Sequence, residues 1–100
     1  MAVMSDPDRN KAARITARQW SASGNIATVG HADYLAAVGA IDDAFEATVA
    51  TLPGTAGQSI AVRLNAAFPA PFSAVSVSLK SLLVAVWVGV KYGFVTTGGD

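Results

Sequence analysis

The amino-acid sequence predicts a small all-α domain of three to four short helices. Two observations carry that expectation. The middle of the chain has large apolar residues recurring every three or four positions, the period of a helix with one buried face. Clusters of Gly, Pro, Ser and Thr then cut the chain into segments of helical length. One stretch leaves an alternative open: if residues 75–95 form strands, the class becomes α+β.

The first helix is expected from about Pro7 to Trp20. Ser5 precedes it as a cap, and Asp6 and Asp8 suit the positive end of a helix dipole. Its apolar content is weak (Ala12, Ile15, Trp20). Lys11, Arg14 and Arg18 fall three and four apart and make one basic face. Residues 21–30 are rich in Ser, Gly, Asn and Thr and read as a linker. The expected division is therefore an N-terminal arm and helix over 1–24 and a helical core domain over 25–100, with the arm hinged.

The second helix is the clearest, from about His31 to Leu52 before Pro53-Gly54. Leu35, Val38, Ile41, Phe45, Val49 and Leu52 form its stripe. Asp42, Asp43 and Glu46 are expected to mark its wet side. Gly39, which costs up to about 1 kcal/mol relative to Ala inside a helix, points to a close helix contact. A short third helix is expected over 58–68, stopped by Pro69-Ala70-Pro71.

For the last segment, the alternation of Val84, Val86, Val88 and Val90 suits a strand. The spacing of Leu79, Leu82, Leu83, Val86, Trp87 and Val90, and the length, favour a helix, with Ser76 or Ser78 as cap and Gly93 as terminator. On that helix Ser81, Ala85, Gly89 and Gly93 lie four apart, a ridge of small residues where another backbone could approach. Such a helix is apolar nearly all round. It either forms a core wrapped by the others or leaves one face as an interface.

Composition narrows the function. One hundred residues make one domain, which on its own buries only about 60–65% of its unfolded surface. Charged residues are 14% and the net charge is zero, which suits a protein covered by neighbours better than a free monomer. The absence of cysteine removes disulfides, thiolate metal sites and cysteine nucleophiles. No secretory signal stands out. The apolar run Leu82–Val90 is about half the ~20 residues a membrane span needs.

Chemistry-bearing motifs are scarce. His31, with Asp33 nearby, is a conceivable general base, but nothing around it forms a recognisable motif. Asp42 and Asp43 are adjacent and point about 100° apart on a helix, so they make no facing dyad. No nucleophile elbow or phosphate loop occurs. The expectation is no enzyme, no catalytic or metal-binding residue, no cofactor and no small-molecule substrate. Candidate partner-binding residues are Lys11, Arg14, Arg18, Trp20, Trp87, Gly89 and Tyr92. A rival reading puts Lys11, Arg14 and Arg18 on nucleic-acid phosphates. The patch is small, and docking of the basic helix on the acidic one, within a chain or between copies, fits at least as well. A third rival is membrane activity of residues 75–95.

Three stretches carry a resemblance: Ala32-Asp33-Tyr34-Leu35-Ala36-Ala37-Val38-Gly39-Ala40-Ile41-Asp42-Asp43-Ala44-Phe45, then Asn65-Ala66-Ala67-Phe68-Pro69-Ala70-Pro71-Phe72, then Leu79-Lys80-Ser81-Leu82-Leu83 on to Lys91-Tyr92-Gly93. Their order resembles small proteins from the structural gene modules of tailed bacteriophages. In those, a helix with an Asp-Asp-aromatic ending precedes an Asn-x-Ala-Leu-Pro-x-Pro segment and a Lys-x-x-Leu-Leu helix. The resemblance spans about two-thirds of the chain and is compositional rather than chemical. The chain departs from it in a longer loop over Pro53–Ser59 and a Val-rich last helix. It implies a virion protein, assembled in the host cytoplasm. The first expectation is a capsid decoration or cement subunit on the major capsid protein, with possible self-contacts. A head–tail joining component is the second.

Overall fold

The computed structural model describes residues 3–26, 28–51 and 64–94, and these are helical with no strand among them. Helix α1 spans Asp6–Ala22, α2 spans His31–Thr51 and α3 spans Val77–Lys91, with a 3₁₀ turn at Phe72–Ala74. Residues 64–66 are also helical. The all-α expectation holds, and residues 77–91 resolve the ambiguous last segment as helix. Most of the third helix expected over 58–68 lies outside the described residues, as do Val95 and the tail.

Local chemistry explains the boundaries. Ser5 caps α1, its Oγ accepting from the Asp8 N–H at 3.4 Å, and Pro7 sits in the first turn where no amide donor is needed. Gly30 precedes α2, and Asp33 reaches back to accept its N–H at 3.0 Å, the returning half of a capping box. Ser76 caps α3 by accepting from Leu79 N–H at 3.2 Å. Gly93 follows α3 with φ +78°, a left-handed conformation that glycine adopts without a Cβ clash.

The expected hinged arm is corrected. Helix α1 packs against both α2 and α3, more extensively than those two pack against each other. Ala12, Ala13 and Ile15 are buried in the same cluster as Tyr34, Val38, Ile41, Leu83 and Trp87, and Thr16 is buried on the same helix. Small side chains make this possible. Ala12 and Ala13 let the α1 backbone come close, so a helix with little apolar bulk still fills the core. The buried Thr16 hydroxyl donates to Ala12 O at 2.8 Å, leaving no unpaired donor there.

Phe72, fully buried, closes one end of the core. It meets Tyr34 edge-on at 5.6 Å between ring centroids and stacks on Phe68 at 5.5 Å. Gly39 does mark a close contact: a Cβ there would stand 3.0 Å from Arg9 Nη1 of α1.

Candidate functional site

At the centre of the three-helix contact sits a carboxylate. Asp42 is fully buried, so its assignment to the wet side of α2 is corrected. The helical period accounts for this: Val38, Ile41, Asp42 and Phe45 are i, i+3, i+4 and i+7, one continuous face. A charge in that position survives only with partners. Oδ2 accepts from Met4 N–H at 2.6 Å and Arg9 Nη2 at 3.1 Å. Oδ1 accepts from Trp87 Nε1 at 3.1 Å and Lys91 Nζ at 2.7 Å.

The cluster extends outward from Asp42. Arg9 Nη2 also pairs with Asp43 at 2.7 Å, and Lys91 Nζ lies 3.2 Å from Glu46 Oε2. The Lys91 side chain is only 2% exposed and its ammonium stands 5.7 Å from the Phe45 ring centroid and 5.9 Å from that of Trp87. Burial alone pushes the Asp42 carboxyl up, but the hydrogen bonds from Lys91, Met4 and Trp87 outweigh it and hold the group below its usual range. Burial likewise lowers Lys91 and Arg9, and their carboxylate partners more than reverse it, so both are raised. Three helices and the N-terminal segment thus converge on one ionised group.

The other face of this cluster is an open groove of about 530 Å³. Its floor is Phe45, Leu64, Phe68, Trp87 and Val88, and its α3 wall is Val77, Val84 and Ala85. Asn65, Lys80 and Ser81 supply the polar groups, and no acid lines it among the described residues. Phe45 and Trp87 meet edge-on at 5.1 Å, so the floor rings are the same ones the ionic cluster holds from behind. Lys80 Nζ stands 5.7 Å from the Phe68 ring centroid.

The residues singled out from sequence fall in different places. Trp87 and Gly89 are buried within the domain, so the small-residue ridge is broken at Gly89, while Ser81, Ala85 and Gly93 are exposed. Tyr92 is exposed just past α3. Lys11 and Arg14 are half-buried and Arg18 is exposed; neither arginine is without a partner inside the protein. Trp20 is half-buried against the core, its Nε1 donating to Ile26 O at 3.3 Å. It borders a second, smaller groove of about 430 Å³ with Ile26, Val29 and Pro71, which Trp87 does not line. The candidate residues therefore do not form one surface.

His31 and Asp33 do not act together. His31 Nε2 lies 3.2 Å from Asn10 Oδ1, and Asp33 serves the α2 cap. Among the described residues no group of three His, Cys, Asp or Glu could hold a metal ion, and no helix is long and apolar enough to cross a membrane. Sequence reasoning missed Arg9 and Asp42 as the organising pair and Phe68 and Val84 as groove residues. Comparison with protein families, with curated proteins and with solved structures finds no match.

Proposed function

We propose that this protein is a structural subunit that works by packing against other proteins. Its assembly is the particle of a tailed bacteriophage, where it stabilises the capsid as a decoration or cement subunit. The observation that carries the packing role is the α3 groove: an open concavity lined mostly by apolar side chains, beside a buried ionic cluster that leaves it free of structural charge pairs. Val77 on its wall is 76% exposed, and Tyr92 and Phe94, just past α3, are exposed as well. The resemblance of residues 32–45, 65–72 and 79–93 to phage structural-module proteins supports the class of assembly.

The basic face of α1 supports a nucleic-acid role less well. Lys11 and Arg14 are half-buried, and the positive charge nearest the core, Arg9, is spent on Asp42 and Asp43. The test is co-sedimentation of purified protein with particles of the phage that encodes it, alongside mass spectrometry of those particles. Saturable binding to capsids and presence in mature particles are expected. Absence from particles, or steeply salt-dependent binding to duplex DNA instead, overturns the reading.

A further inference from the structure

We infer that the α3 groove receives an α-helix of a different protein, apolar along one stripe and acidic beside it. The inference deepens the reading above by naming the chemistry of the partner, and its experiment is independent of any virus particle. From Val77 to Val88 the groove follows α3 over twelve residues, about 16 Å at 1.5 Å rise per residue. That length takes the anchors of two to three helical turns, the i, i+4, i+7 pattern of helix-in-groove recognition. The groove is also open: Val77 is mostly exposed on its wall, whereas a small ligand needs about 70–90% of its surface enclosed. A helix bridges such an opening because its own backbone covers what the protein does not.

Charge selects the sign of the partner. Among the described residues Lys80 is the only ionised one lining the groove, and no described acid lines it. An acid on the incoming helix would find an ammonium at the rim and an acid-free floor. A second copy of this chain is a poor source of that helix. On α2, Asp42, Asp43 and Glu46 are committed to Arg9 and Lys91, and Asp33 caps its own first turn. Helix α3 contains no acid, and α1 follows Asp6 and Asp8 with four cations from Arg9 to Arg18. Two α3 grooves face to face would bring two lysines to one seam without a carboxylate.

The probe is a pair of synthetic 18-residue Ala/Leu helices with leucines at i, i+4, i+7 and i+11, one flanked by Glu and one by Lys, followed by fluorescence anisotropy. The Glu peptide is expected to bind and the Lys peptide to bind roughly two- to five-fold more weakly, the range for one exposed ion pair. K80E should reverse that preference. A85W, which fills the groove from an exposed position, and V77D, which places an acid on its wall, should each remove binding of the Glu peptide while the far-UV spectrum stays native. Equal binding of both peptides, no binding of either up to about millimolar, or binding unaffected by both A85W and V77D overturns the inference. So does dodecanoate binding that displaces the peptide and depends on Lys80, which would mark the groove as an acyl-chain site. Capsid co-sedimentation that persists in A85W and V77D would leave the structural role standing and refute the groove alone.

Discussion

Replacing Asp42 with alanine should unfold or nearly unfold this domain. The carboxylate is fully buried and accepts four hydrogen bonds, from Met4 N–H, Arg9, Trp87 and Lys91. Its removal takes from Lys91, 2% exposed, its carboxylate partner at 2.7 Å, and takes from the Trp87 indole N–H its acceptor at 3.1 Å. Breaking a buried ion pair from one side costs about 3–5 kcal/mol. A domain of this size has roughly 5–15 kcal/mol in total, and each kcal/mol moves its melting temperature by about 4–8 °C. The expected fall is therefore roughly 12–40 °C, or a chain unfolded at room temperature. Asp42→Asn should not rescue it. Both carboxylate oxygens face donors only, so either orientation of the amide turns its NH₂ toward a donor. Asp42→Leu combined with Lys91→Met should recover much of the loss, because an apolar pair of similar volume avoids the stranded charge. Urea and thermal unfolding at pH 7, followed by far-UV circular dichroism, compare the parent with these three variants. A D42A protein within about 1 kcal/mol of the parent would refute the ionic cluster as the organising contact.

The same cluster fixes the pH response. Asp42 has a folded pKa below its ordinary value, so its contribution is present above about pH 4 and is lost as pH falls through the lower folded value. Lys91 is raised, so its contribution is complete below its ordinary value and lost only as pH rises through the higher folded one. Urea midpoints should change little from these two groups between about pH 5 and 9 and drop in acid below about pH 4; a steep change near neutrality would contradict this. Tyr34→Phe removes a buried hydroxyl that has no hydrogen-bond partner among the described residues, and should leave stability unchanged or raise it by about 1 kcal/mol, seen as a higher melting temperature. Gly39→Ala should lose more from pressing on Arg9 than it gains from helix propensity, because Arg9 is tethered to Asp42 and Asp43 and has little room to yield; a rise in the melting temperature would show that Arg9 moves freely. Phe72→Ala opens a cavity where two rings pack and should cost about 3–5 kcal/mol in urea unfolding.

Helix positions were legible because they depend on local signals. The stripe through Val38, Ile41 and Phe45 and the caps at Ser5 and Ser76 are readable from spacing alone. The place of α1 was not. Its low apolar content suggests a detached arm, yet Ala12, Ala13 and Thr16 pack through close approach rather than bulk, and no one-helix pattern reveals which neighbour offers the space. Asp42 was misplaced for a different reason. Residue type argues for solvent, while its i+4 relation to Val38 and i+3 relation to Phe45 argues for the core; the period was the better guide. The companion signal was Lys91, a cation ending a helix otherwise apolar from Leu82 onward, whose buried stem needs a carboxylate nearby. The groove had no signal of its own, since Phe45, Phe68 and Val84 come from three separate segments.

The cluster and the groove share two rings, and this links stability to recognition. Phe45 and Trp87 are held from behind by Lys91, and the Trp87 indole is fixed by its bond to Asp42. A partner helix resting on those rings therefore meets a surface whose rotamers are already chosen, and little side-chain entropy remains to be lost on binding. An apolar replacement of Asp42 and Lys91 that restores folding would release the indole from that bond. The double variant should then unfold at a temperature closer to the parent's than D42A does, yet bind the Glu-flanked helix more weakly, with the loss appearing as faster dissociation. Stability and affinity recovering together would show that the ionic cluster serves the fold alone.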